Sequence, residues 1–182
     1  HVPYDAGCVL IRDGELHRAT FAAHDEYLTG APRGLAGGTP WFCDFGPELS
    51  RGFRALKVWF TLKEHGTRRL GQKITDNCHQ AAYLARQIDA CPDLQRLAPV
   101  ELNIVCFRYA SADEPSKKLD EINRQIVIAL QERAIAAPST TTIDGKVAIR
   151  VNITNHRCDV GDFDVLVDAV RSLGHEFTGR EA

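Results

Sequence analysis

Apolar residues along this chain recur with two periods, and the switches between them mark the expected elements. Leu49, Phe53, Leu56 and Phe60 share one helical face. With Ser50 as an opening cap and Gly66 as a stop, they predict an amphipathic helix over 50–66. Leu70, Ile74, Cys78, Ala81, Ala85 and Ile88 form the stripe of a second helix, from about Thr67 to Ala90 and ahead of Pro92. Leu119, Ile122, Ile126 and Ala129 mark a third, and Phe163, Leu166, Val167 and Val170 a fourth over 163–173. Between them lie β-type runs: Cys8-Val-Leu-Ile-Arg-Asp, ended by Asp13-Gly14 and read as a buried strand, and Leu102–Tyr109. Thr140–Ile143 and Val147–Ile153, joined by Asp144-Gly145, predict a hairpin. Residues 15–28 show no clear period, and Thr29–Pro47 carries too much glycine and proline for a regular element. From residue 100 onward the order strand, helix, strand, strand, helix predicts a small two-layer α/β domain with an antiparallel sheet.

Composition narrows what such a chain can do. Of 182 residues, 44% are hydrophobic, enough for a real core. The 22 basic against 24 acidic residues predict no polyanion surface, so nucleic acid is not an expected partner. No apolar run approaches membrane-spanning length and no segment resembles a signal peptide, so a cytoplasmic protein is expected. Six scattered cysteines without C-x-x-C spacing read as reduced thiols, mostly core fillers. The chain has no methionine and opens at His1 inside what reads as ordered sequence, so a piece of a longer polypeptide is expected.

Three positions carry candidate chemistry. Tyr27 stands at the entry of the glycine- and proline-rich loop. A tyrosine there can close over a ligand and transfer a proton once water is excluded; an ordinary half-buried tyrosine is the bland alternative. Ser50 and Arg51, with Arg54, open the predicted helix, where free N–H groups and positive charge suit a phosphate; a plain cap beside solvated arginines is the alternative. Arg150 interrupts the apolar strand 147–153 and is the best candidate for a buried charge, expected to pair with a carboxylate across the sheet. Cys78-His79 and His156-x-Cys158 are too sparse for zinc, and no nucleotide-binding or nucleophile-elbow motif is present.

The motifs in order do resemble a known family. His1-Val-Pro-Tyr-Asp-Ala-Gly-Cys is similar to the segment after the cofactor-binding lysine of group II pyridoxal-5′-phosphate-dependent amino acid decarboxylases, with Asp5 in a matching place. This family includes aromatic amino acid, histidine and glutamate decarboxylases. Tyr27-Leu28, Leu49-Ser-Arg51, Arg54-Ala-Leu-Lys-Val-Trp-Phe60 and Leu102-Asn-Ile-Val-Cys-Phe-Arg108 match further motifs, so the resemblance covers nearly the whole chain. It implies fold type I: 1–56 would be the end of the large cofactor domain with its mobile loop, and 57–182 the small C-terminal α/β domain. It also implies a homodimer with active sites at the subunit interface, an L-amino acid substrate, and pyridoxal 5′-phosphate as an electron sink. By resemblance Tyr27 is the loop tyrosine that protonates the carbanion left by CO2, favouring decarboxylation over aldehyde formation. Ser50, with Arg51 beside it, falls near the cofactor phosphate of the neighbouring subunit. Arg150 falls on an arginine with a structural role.

The family's Schiff-base lysine is expected a few residues before His1, and Lys57, Lys63 and Lys73 match nothing in its motif. The leading reading is therefore the C-terminal portion of a carboxy-lyase, inactive by itself. The second is a non-catalytic fragment or degenerate relative that serves as a dimerisation or binding domain. A third, weaker reading is another fold type I activity, such as a lyase or an aminotransferase-like enzyme. The loop 29–47 departs from the aromatic branch, and the substrate side chain is not readable.

Overall fold

The structure is a computed structural model that describes residues 1–22, 30–35, 37–38 and 40–179. It divides into two compact units, Val2–Glu64 and His65–Ala182, the latter with His1.

In the larger unit, β1 (Leu94–Arg96), β2 (Ile104–Tyr109), β3 (Ser139–Ile143) and β4 (Lys146–Asn152) make one sheet in the order β1-β2-β4-β3. Every neighbouring pair is antiparallel. Helices α3 (Ser116–Glu132) and α4 (Val160–Thr178) follow β2 and β4. The predicted α/β class, antiparallel sheet and element order after residue 100 are therefore what forms. The hairpin turns at Asp144 (φ 49°) and Gly145 (φ 74°), the left-handed pair that suits a tight two-residue connection. Asp159 caps α4 in a reciprocal box: its carboxylate accepts from the backbone, and its own N–H donates to Asp162 at 3.0 Å.

The core follows the period-2 and helical patterns together. Val105, Phe107 and Tyr109 of β2 alternate inward beside Ile149 of β4, and they meet Ile126 and Leu130 of α3 and Val170 of α4. Ala81, Leu84 and Ile88 close the cluster from the second predicted helix. Gly174 on α4 sits against the Tyr109 ring, where a Cβ would collide with ring carbons, so glycine is required there by space rather than by backbone angle.

Two of the larger unit's backbone strands separate at one end, and α3 fills the gap. The β2–β4 pairing ends at Phe107 opposite Ile149. Beyond it, Asn123 accepts from the Tyr109 N–H (2.7 Å) and donates to the Tyr109 carbonyl (2.9 Å) and to the Leu119 carbonyl (2.8 Å). One turn earlier, Asp120 accepts from the Val147 N–H at 2.9 Å and lies 3.4 Å from Arg108. Side chains of α3 thus replace the missing ladder bonds that buried backbone groups require.

Several expectations are corrected. Arg150 is only half-buried, and its cross-strand neighbours are Cys106 and Ser139, neither an acid. The buried arginine is Arg108, 2% exposed, and its carboxylate comes from a helix rather than from the sheet. None of the six cysteines is fully buried: Cys8 is exposed, and Cys91 and Cys158 pack against the core from its margin rather than filling it. Residues 8–13 form no strand: Leu10 is 93% exposed, and no described segment pairs with it. A strand without a partner leaves its N–H and C=O groups unbonded to protein, so the apolar run alone does not make one.

The smaller unit instead folds residues 14–21 into a helix that lacked a readable period, α1 (Gly14–Phe21), with Asp13 accepting from the Leu16 N–H. Arg18 of α1 pairs at 3.2 Å with Asp44 in a single 3-10 turn, Phe42–Phe45. His17 touches both Phe21 and Phe45 edge-on. Asp44 is the only fully buried residue among those described in this unit, and Phe53 is 73% exposed. A unit of some sixty residues buries a smaller fraction of its apolar surface than a larger one does.

Burial pushes the Cys106 thiol up, and Arg150 across the pair only partly opposes this. Less thiolate means slower alkylation. Iodoacetamide at neutral pH should label exposed Cys8 before Cys106, followed by peptide mass mapping. Equal rates would contradict the assignment.

Candidate anion site

The helix predicted over 50–66 begins later than its pattern suggests. Helix α2 runs Ala55–Asp89, broken at Gly66 (φ 72°, ψ 156°), and residues 51–53 are irregular. Ser50 is therefore not the cap. Gly52 disfavours helix at the expected first turn. The Arg54 N–H instead donates to the Gly52 carbonyl (2.8 Å) and the Leu56 N–H to the Phe53 carbonyl (3.1 Å). The free-amide argument for an anion at Ser50 is corrected accordingly: two of the first-turn amides are spent locally.

The side chains still converge. A cavity of about 1160 Å3 is lined by Tyr4, Asp5, Phe42, Ser50, Arg51 and Arg54, among others of the smaller unit. Arg51 donates from Nη2 to the Phe42 carbonyl at 2.6 Å, which ties the 49–54 segment to the 3-10 turn. A guanidinium has five N–H donors, so this bond leaves others available. Arg54 donates from Nε to Asp5 Oδ2 at 3.1 Å, and Lys57 Nζ donates to the Asp5 carbonyl at 3.0 Å. A backbone hydrogen bond, then the Arg54 guanidinium, hold the Asp5 carboxyl below the usual carboxylate range. Asp5 therefore stays anionic and anchors two cations, although each ion pair is exposed enough to add little stability.

Asp5 and Arg54 were each legible in the sequence, but their junction with Lys57 was missed. Its signal was the three-residue spacing of Arg54 and Lys57, which puts both on one helix face. The other predicted residues fare differently. Ser50 and Arg51 share the cavity. Tyr27 lies in 23–29, outside the described residues. Lys63 sits over the Trp59 ring at 5.8 Å and Lys73 pairs with Asp76 at 3.4 Å. Among the described residues no cluster of three His, Cys, Asp or Glu could hold a metal ion, and no helix is long and apolar enough to cross a membrane.

Comparison with known proteins adds an independent line. The family model for the pyridoxal-dependent decarboxylase conserved domain matches residues 1–110. An aromatic-L-amino-acid decarboxylase of Bacillus atrophaeus is 33% identical over 175 residues, which is 96% of this chain and 36% of that protein. The L-2,4-diaminobutyrate decarboxylase of Rhizobium meliloti is 27% identical over 99% of this chain and 36% of its own length. Among solved structures, the glutamate decarboxylase domain of a Vibrio parahaemolyticus diaminobutyrate-pyruvate transaminase and L-2,4-diaminobutyrate decarboxylase superposes with a TM-score of 0.62 at 30% identity, covering 68% of this chain and 26% of that one. The chain thus spans about a third of the length of the curated relatives it matches.

Proposed function

The chain belongs to the pyridoxal-dependent decarboxylase family, and from that premise we propose that it is the C-terminal portion of a carboxy-lyase converting an L-amino acid to its amine and CO2. The observation that carries this reading is the convergence of Ser50, Arg51 and Arg54 on one cavity. A hydroxyl and the Arg51 guanidinium are donors that suit a phosphate dianion, so these residues fit the phosphate end of pyridoxal 5′-phosphate, while Arg54 already faces Asp5 at 3.1 Å and Glu48 at 3.9 Å. Among the described residues no lysine lines that cavity, so on this reading they supply part of a cofactor site.

When bound, the cofactor supplies an electron sink for the pair left on the α-carbon as CO2 departs. The residues of this chain have simpler tasks. Ser50 Oγ donates to a phosphate oxygen. Arg51, steadied on the Phe42 carbonyl, and Arg54, steadied on Asp5, balance the charge. The Tyr27 hydroxyl delivers a proton to the α-carbon, a role that rests on the family resemblance. A cytoplasmic homodimer whose site draws on both subunits belongs to the same reading. So does the division into the end of a cofactor domain, 1–56, and a small C-terminal domain, 57–182.

In the complete protein, Ser50→Ala and Arg51→Gln should each weaken pyridoxal phosphate about tenfold, or about 1.4 kcal/mol, by isothermal titration. Affinity unchanged in both variants would remove these residues from the phosphate site. Amine and CO2 release from a panel of L-amino acids tests the activity itself; binding without turnover of any would favour the non-catalytic dimerisation or binding domain.

A further inference from the structure

We propose that a second cavity, wholly within the larger unit, binds a small organic carboxylate with an apolar body. The cavity has a volume of about 680 Å3, within the range of small-ligand sites. It lies where the end of β4 and the start of β3 meet the segment 135–138 and the first turns of α4. Two arginines line it, Arg150 from β4 and Arg157 from the loop before α4.

Charge is the first observation. Arg150 makes no ion pair or hydrogen bond among the described residues, and its strand neighbours Cys106 and Ser139 carry no negative charge. The Arg157 side chain likewise has no acid partner among them; only its backbone N–H is engaged, donating to Asn155 Oδ1 at 3.0 Å. One acid lines the cavity: Asp162, whose Oδ2 accepts from the Asp159 N–H in the α4 cap and whose carboxylate also interacts with the Cys158 thiol. Two cations therefore line the cavity beside one carboxylate, and among the described residues neither is ion-paired with it. A half-buried guanidinium without a counter-ion has lost part of its hydration and gained nothing in return. A ligand carboxylate would offset that cost, and the planar fork of arginine fits it with two parallel bonds.

Shape is the second observation. Beside the arginines one part of the wall is apolar, with Pro138, Val151, Phe163 and Leu166, while Asn152 and Thr154 make a polar rim. Phe163 and Leu166 are themselves core residues, each 5% exposed, so this wall is fixed by packing rather than by a loop. A charged end and a firm apolar surface select a ligand with both, an aryl- or alkyl-substituted carboxylate. The inference uses residues 135–166 alone and nothing of the cofactor reading.

Isothermal titration of the full chain with 3-phenylpropionate, 3-phenyl-1-propanol and acetate tests it. Saturable binding is expected for 3-phenylpropionate and for neither of the others, since one lacks the charge and the other the body. Arg150→Gln and Arg157→Gln should each raise its Kd about tenfold, while Lys73→Gln, outside the cavity, should leave it unchanged. Arg157 is exposed and its loss should not unfold the unit, so it keeps the test valid if Arg150→Gln does. Equal binding of the alcohol, no saturation with the acid, or an unchanged Kd in Arg157→Gln would overturn the proposal.

Discussion

Asn123→Leu should lower the stability of the larger unit by several kcal/mol. Leucine matches asparagine closely in size, so the loss would be one of hydrogen bonding and not of volume. Asn123 is fully buried, and its amide satisfies both the N–H and the C=O of Tyr109 where β4 no longer runs alongside β2. Leaving two buried backbone groups unpaired costs about 1–3 kcal/mol each. Against a typical total of about 5–15 kcal/mol, that is a large fraction. Urea denaturation followed by far-ultraviolet circular dichroism would read the shift in midpoint. Asn123→Asp should be no milder, since a carboxylate would face the Tyr109 and Leu119 carbonyls and carry an unpaired charge into the core. A leucine variant with the parent midpoint would mean that water or a strand shift satisfies Tyr109 instead.

The second large effect is expected from Asp120→Ala. Asp120 faces Arg108 at 3.4 Å and accepts from the Val147 N–H at 2.9 Å. Arg108 is 2% exposed, and its Nε has no hydrogen-bond partner among the described residues. Removing the carboxylate therefore strands a buried cation that already lacks one bond. Breaking such a pair from one side costs about 3–5 kcal/mol, whereas replacing both members by apolar groups is often close to neutral. Arg108→Met combined with Asp120→Ala should accordingly recover much of what Asp120→Ala loses. This double-variant cycle separates the stranded charge from the lost Val147 bond. If the double variant were as unstable as the single one, the Val147 N–H and not Arg108 would dominate.

Much of this architecture can be read from periodicity. The stripe Leu119, Ile122, Ile126 and Ala129 is the buried face of α3. Asp144-Gly145 specifies its turn because only residues tolerant of positive φ fit there. Those signals are local, and local physics suffices for them. Residues 8–13 show the limit: a branched apolar run is compatible with a strand, but a strand exists only where another supplies its hydrogen bonds. α1 shows the opposite limit, since its cap at Asp13 carries more of the signal than its weak apolar pattern. The start of α2 was misplaced for a similar reason: Leu49 and Phe53 keep helical spacing with Leu56, but spacing survives through an irregular stretch around Gly52.

Site residues divide along the same line. Ser50, Arg51 and Arg54 could be nominated from residue type and neighbourhood, and order and spacing of motifs along the chain pointed to the family. Arg150 was singled out correctly as unusual but assigned the wrong company. The one-dimensional pattern shows a charge in an apolar strand; it does not show which residues stand across the sheet. That depends on register, and register places Cys106 and Ser139 beside Arg150 while α3 brings Asp120 to Arg108. Periodicity and capping, which act over a few residues, determine the helices, the hairpin and the α/β class. Charge pairing and cavities depend on contacts between residues far apart in the chain. Only folding reveals that Asp5 joins Arg54 and Lys57, and that Arg150 and Arg157 share a cavity with a single lining acid, Asp162.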